Sequence, residues 1–239
     1  MGMKVEIWSD VVCPWCYVGK RRFEAALRTF PHAGDVEVHW RSFELDPRAP
    51  RRREGPYAER LAAKYGMSVA EAQASVDHMI QVGEGAGIEF NFNDAKPGNT
   101  FDAHRLLHLA DAQGLQDAVK DRFLKANFTE GAAIGEPRVL RELAVEAGLD
   151  GDEVQAVLDS DRFAADVRGD EQRAMALGIT AVPFFLFEGK YGLPGAQSPP
   201  VFADALEEVW NLTAPAATAS AVDGAAACDG DTCAVPSPT

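Results

Sequence analysis

Cysteine is scarce in this chain, four residues in 239, which excludes a small secreted scaffold held together by disulfides. Long apolar runs are missing as well, and none approaches the roughly 20 residues that a membrane-spanning helix requires. Positive charge is in deficit: 23 Lys and Arg face 37 Asp and Glu, for a formal charge of -14. That balance opposes non-specific attraction to nucleic acid or anionic lipid. The first residues, Met1-Gly2-Met3-Lys4, lead into an alternating run and lack the apolar stretch of a signal peptide. The expectation from these absences is a cytoplasmic protein with neither nucleic acid nor membrane as a partner. What the chain does have is 46% hydrophobic sequence, enough to bury a sizeable core without cross-links. In a reducing compartment, paired cysteines serve catalysis or metal binding more often than architecture.

The chain opens with "KVEIWS", where Val5 and Ile7 alternate with Lys4 and Glu6, a pattern that predicts a strand. Phe23, Ala26, Leu27 and Phe30 then recur at helical spacing until Pro31 ends the pattern. A second alternating run, residues 35–45, places Val36, Val38 and Trp40 on one face. The opening is therefore a β-α-β unit. Six segments rich in Ala, Leu, Glu and Arg follow, at 57–66, 68–83, 101–113, 115–130, 136–147 and 151–159. Ser68 with Glu71 reads as a capping box, and Pro137 suits a first helical turn. Phe90 and Phe92, in the irregular loop between the second and third helices, are expected to dock into the core. Residues 179–195 predict two short strands around Glu188-Gly189-Lys190, and residues 198–212 predict a last helix. The whole reads as α/β, a thioredoxin-like domain (1–55 and 173–213) interrupted by an α-helical insertion domain (56–172). A small-residue tail (214–239) is expected to be mobile.

The chemistry centres on "SDVVCPWC". Cys13 and Cys16 lie one helical turn apart where the first strand gives way to the first helix, with Pro14 suited to the first helical position. A thiol at a helix N-terminus faces unsatisfied amides and the positive end of the dipole, which favour the thiolate. Cys13 is thus expected to be the acidic nucleophile and Cys16, one turn inward, the more buried resolving thiol. A tetrahedral zinc site would want two more ligands near by, and inert buried thiols remain a third reading. The strand-then-helix setting favours a redox pair. Far along the chain, "GITAVPFFLF" sets Pro183 just before a strongly apolar strand, a place where proline is tolerated only at a strand start, an edge or a special turn.

Together, "SDVVCPWC", "NTFDAHRLLHLA", "GITAVPFFLF" and "GAQSPPVFADAL" resemble the FrnE-type branch of the DsbA-like thioredoxin-fold family over about residues 4–211. The resemblance implies a disulfide oxidoreductase with Cys13 as nucleophile, Cys16 as resolving thiol, and Pro14 and Trp15 as the dipeptide that tunes them. It also implies a cis Val182-Pro183 bond forming the substrate-binding turn. The function it points to is a thiol-disulfide oxidoreductase, whether oxidase, reductase or isomerase, working through a mixed disulfide. Its partners would be disulfide-containing proteins or small molecules and a thiol reductant or oxidant. No cofactor or metal is implied, with glutathione as a candidate co-substrate. Two alternatives stay open: a glutathione-dependent transferase or isomerase of the kappa or 2-hydroxychromene-2-carboxylate isomerase type, and a metal-binding or interaction module.

The remaining candidates carry weaker signals. Arg48, Arg51, Arg52 and Arg53 read as a solvated loop. His104 and His108 read as a helix face without a third ligand, and the Gly83, Gly85, Gly87 run follows a helix rather than a strand. In the tail, Cys228 and Cys233 form a "CDGDTC" pair that could serve as a redox shuttle, a fixed local disulfide or a soft-metal clip.

Overall fold

A computed structural model of the chain describes residues 2–213; the tail pair Cys228 and Cys233 lies outside them. Strand β1 (Met3–Ser9) leads into helix α1 (Pro14–Thr29), and after a short 3-10 turn (Ala33–Asp35) strand β2 (Val36–Ser42) lies parallel to β1. Seven helices follow: α2 (Tyr57–Tyr65), α3 (Val69–Glu84), α4 (Phe101–Ala112), α5 (Gln116–Phe128), α6 (Pro137–Glu146), α7 (Gly151–Leu158) and α8 (Ala164–Ala176). The hairpin β3 (Phe184–Phe187) and β4 (Tyr191–Pro194) and helix α9 (Pro199–Thr213) close the described chain. The sheet runs β2-β1-β3-β4, with β3 antiparallel to both of its neighbours.

Strand alternation sorts the side chains between two faces. Val5, Ile7, Trp40, Phe185 and Phe187 share one cluster with Phe23 of α1 and with Phe202 and Leu206 of α9. There the Phe185 ring lies 5.4 Å from Phe23 and 4.6 Å from Phe202. Trp8 and Leu186 belong to a second cluster with Ala174 of α8 and Ile179. Each fully buried side chain of this size contributes about 1.5–3 kcal/mol, and the two clusters clamp the end of β1 from which the Cys-x-x-Cys segment leaves.

The helical block forms as its sequence signals require. Ser68 and Glu71 make the reciprocal capping box at the start of α3, with Glu71 N donating to Ser68 Oγ at 3.2 Å and Ser68 N to Glu71 Oε2 at 2.9 Å. Pro137 opens α6. Phe90 and Phe92 are buried against Tyr17 and Phe128, joining α1 to the insertion. Gly83 is needed for that contact, because a Cβ there would come within 2.3 Å of the Phe90 ring.

One boundary differs from the sequence reading. A domain limit at 172 falls inside α8, whose buried face is bonded to the sheet: Trp8 Nε1 donates to the Asp170 carbonyl at 3.0 Å, and Asp170 Oδ2 accepts from Ser42 N at 2.9 Å. Helix α8 packs against both β2 and α4. Among the described residues no helix is long and apolar enough to cross a membrane.

Beneath α8, Glu6 is 2% exposed and accepts hydrogen bonds from Arg173 at 2.6 Å and from Arg41 Nε at 2.9 Å. Burial raises its carboxyl, but the two guanidiniums outweigh it and bring the pKa from 4.5 down to about 2. A lowered carboxyl pKa gives stability that is complete above the unfolded value and is lost as pH falls toward the folded one. The window is therefore pH 4.5 down to about 2, and the amount is on the order of 3 kcal/mol. Urea midpoints measured from pH 7 to pH 3 should fall for the wild type, whereas Glu6→Gln should start lower at pH 7 and lose less. Parallel curves for the two proteins would contradict this role for Glu6.

Candidate active site

The chain leaves β1 at Ser9, turns through Asp10, Val11 and Val12, and enters α1 with Cys13 as N-cap and Pro14 in its first turn. Cys13 has extended backbone angles (φ -98°, ψ 112°), and its carbonyl accepts from Cys16 N at 3.0 Å, which sets the two thiols on one face of the first turn. Both cysteines are free thiols, Cys13 at 5% exposure and Cys16 at 0%. Trp15 between them is 40% exposed and stands beside Cys13, the one thiol among the described residues with any contact to solvent.

The Val182-Pro183 bond is cis, as the resemblance implies. It lies directly against the pair, with Cys13 Sγ 3.7 Å from the Val182 carbonyl oxygen. Gly19 allows this approach: a Cβ there would sit 2.9 Å from Pro183 Cγ. Gly19→Val should displace the Pro183 turn and cost about 1–3 kcal/mol of stability through overpacking. Denaturant melts should show that loss together with slower disulfide exchange, and a variant with wild-type rate and midpoint would show that the contact yields freely.

The electrostatics run opposite to the helix-end expectation. The Cys13 thiol is pushed well up rather than down: its hydrogen bond with Cys16 and its burial act first, and the charge of Asp10 adds to them. The first-turn amide of Cys16 favours the Cys13 thiolate but is outweighed. Burial also raises Cys16, yet the S–H of Cys13, the ammonium of Lys120, the Ser9 hydroxyl and the Asp10 amide together hold it below the ordinary thiol range. Within the reduced pair Cys16 is the thiol more readily deprotonated. Helix-end reasoning saw the amides but not Lys120, which arrives from α5.

Four more residues that the sequence reading did not single out for the site gather here. Asp10 is fully buried, accepts from Leu45 N at 2.8 Å and approaches His104 Nε2 of α4 at 3.4 Å. Lys120 is also fully buried, donating to the Ser9 carbonyl at 3.2 Å. Tyr57, at the start of α2, has its phenol raised to about 12 by burial and then by the neighbouring Cys13. One of them left a trace in the sequence: Lys120 interrupts the stripe formed by Val119, Phe123 and Leu124, all fully buried. His108 turns elsewhere, to Ser42 Oγ at 3.1 Å and Asp170 at 3.3 Å. Among the described residues no three His, Cys, Asp or Glu side chains converge as a metal site. The arginine-rich stretch is fixed through its backbone, Arg53 N donating to the Pro97 carbonyl at 3.0 Å and Asn99 N to that of Pro50 at 2.9 Å.

A thioredoxin-like sheet, a dithiol at the first turn of α1 and a cis proline facing it define the class of protein. Comparison with known proteins agrees: a model of the DSBA-like thioredoxin domain matches residues 4–207, and the chain belongs to that family of disulfide oxidoreductases. It is 33% identical over 210 residues to the uncharacterized protein YwbO of Bacillus subtilis, covering 87% of this chain and 98% of that protein. A crystal structure from Streptomyces coelicolor, described as a probable DsbA oxidoreductase, shares 46% identity with a TM-score of 0.84, over 98% of this chain and 100% of that one. The cytosolic disulfide reductase DsbM of Pseudomonas aeruginosa shares the fold at 20% identity and TM-score 0.60, over 87% of this chain and 99% of that one.

Proposed function

We propose that the protein catalyses thiol-disulfide exchange through the Cys13–Cys16 pair, by way of a mixed disulfide on Cys13. The observation that carries this is the graded burial of the two thiols beside Pro183. Cys13, 5% exposed and next to the exposed Trp15, is the sulfur a substrate can reach. In the reduced protein the Cys16 thiolate takes the Cys13 proton as Cys13 attacks one sulfur of a substrate disulfide, and the other sulfur leaves as a thiolate. Cys16, once deprotonated, then attacks Cys13, closing the Cys13–Cys16 disulfide and expelling the substrate's remaining sulfur as a thiolate. Pro14 and Trp15 tune the pair, and the backbone of Val182, beside Cys13, is placed to bond an extended peptide. The substrates are disulfide-containing proteins or small molecules, with a small thiol such as glutathione as the exchanging partner. We place this activity in the cytosol, where the disulfide reductase DsbM also works and where thiol pairs serve exchange rather than permanent cross-linking.

The test is turnover of a fluorogenic disulfide-linked peptide in a glutathione buffer. Catalysis well above the uncatalysed rate is expected, and a rate at background would overturn the reading.

A further inference from the structure

The arginine-rich strap between β2 and α2 runs against the charge of the chain. Residues 46–60 hold five arginines and three carboxylates, whereas the whole has a formal charge of -14. The strap's backbone is fixed without help from the side chains of Arg48 or Arg51. Arg53 N donates to the Pro97 carbonyl, Asn99 N to that of Pro50, and Asn99 Nδ2 to that of Pro47 at 3.2 Å. The Arg51 carbonyl is seated against Gly98 and Gly135, from two separate loops, and a Cβ at either would collide with it.

The side chains divide into paired and unpaired cations. Arg53 turns to Asp46, and Arg52 to Glu54 at 3.2 Å. Arg60 donates only to the Gly55 and Ala95 carbonyls. Arg48 and Arg51 are exposed, as is Lys96 on the loop that carries Pro97. Among the described residues none of these three, nor Arg60, has a carboxylate within 4 Å. Like charges gathered on a rigid strap repel one another, and the anchoring of the strap does not use them. The strap also borders the dithiol. Leu45 N, at its start, donates to Asp10 Oδ2 at 2.8 Å, and the Asp10 carbonyl accepts from Cys13 N at 3.3 Å. Arg48 stands three residues beyond Leu45, at most about 11 Å along the chain. At the other end Arg60 lies over the Tyr57 ring, 5.3 Å from its centre.

We propose that this strap is a docking surface for an acidic segment of the polypeptide whose disulfide Cys13 attacks, with Arg48, Arg51, Arg60 and Lys96 receiving its carboxylates. The proposal rests on the exchange chemistry above and adds a substrate class to it, disulfides flanked by Asp and Glu. Charge complementarity carries it. An acidic polypeptide is repelled by the chain as a whole, and a local basic surface beside the thiols offsets that repulsion and orients the approach. Arginine suits the task, because its planar fork grips a carboxylate through two bonds. Exposed contacts of this kind act on encounter and binding and leave the exchange step itself unchanged.

The experiment uses the full chain and three peptides that share one disulfide, flanked by about six residues of acidic, neutral or basic composition. At low ionic strength wild type should turn over the acidic peptide with kcat/KM about tenfold above the neutral one. The gap should vanish in about 1 M salt, where screening acts beyond about 3 Å. Arg48→Gln combined with Arg51→Gln should bring the acidic peptide down to about the neutral rate and leave the neutral rate at its wild-type value. Arg48→Glu combined with Arg51→Glu should favour the basic peptide. A wild-type preference for the basic peptide, which net charge alone would give, overturns the proposal, and so does an acidic preference that survives the glutamine variant. Docking is also read without chemistry, by fluorescence anisotropy of a cysteine-free acidic peptide. Binding at low salt that the glutamine variant loses is the expected result, and no binding by wild type overturns the proposal. A single-stranded DNA oligonucleotide that displaces this peptide more effectively than unlabelled peptide does would assign the strap to nucleic acid and overturn it as well. Turnover of the neutral peptide is scored on its own, so failure of the exchange reading is distinguishable from failure of the docking surface.

Discussion

Replacing Cys13 with alanine is expected to reduce disulfide exchange to the uncatalysed background while leaving the fold intact. Cys13 makes no side-chain cap bond to α1, so the helix start does not depend on its sulfur. Loss of one small, nearly buried group costs about 1 kcal/mol or less. The loss is expected because Cys13 is the thiol of the pair that a substrate reaches, Cys16 having 0% exposure. Peptide-disulfide turnover and a denaturant melt on the same preparation check both halves. Retained turnover with an unchanged melt would remove Cys13 from the mechanism.

Cys16→Ala should have the opposite phenotype, a protein that begins the reaction and cannot finish it. Cys13 still attacks, but no neighbouring thiol resolves the product, so mixed disulfides accumulate and turnover falls to the rate of rescue by external thiol. The electrostatics sharpen this expectation. The largest influence raising Cys13 is its hydrogen bond with Cys16, and the variant removes it. Cys13 should therefore become more acidic in Cys16→Ala than in the wild type, which thiolate absorbance against pH measures directly. Mass spectrometry after incubation with a disulfide-linked peptide should show one peptide adduct on Cys13. Free Cys13 after long incubation would contradict the assigned order of the two thiols.

Much of the fold was legible because its periodic signals were local. Val5 and Ile7 alternate in β1, β3 is a short apolar run just after Pro183, and Ser68 with Glu71 marks the start of α3. Helix α8 was missed because its buried stripe is Val167, Asp170 and Ala174. An aspartate on the inner face breaks the apolar period, and Asp170 sits there because Ser42 N and Arg41 need an acceptor. The same limit governed the site. Cys13 and Cys16 announced themselves by spacing, and Pro183 by its place before an apolar strand. The direction of their acidity did not, since it depends first on burial and on the meeting of the two thiols, and Lys120, 104 positions after Cys16 in sequence, adds to it only once α5 has packed in place. Asp10 and His104 are hidden for the same reason: neither side chain has a local motif, and their meeting is made by the docking of α4.

The full-length reduced protein is equilibrated across glutathione redox buffers, and proteolytic fragments are mapped by mass spectrometry. The expected result is a Cys13–Cys16 disulfide that forms and opens reversibly with the ratio of oxidised to reduced glutathione. Persistence of both cysteines as thiols at every ratio would contradict a reactive pair and return Cys13 and Cys16 to the status of inert core residues.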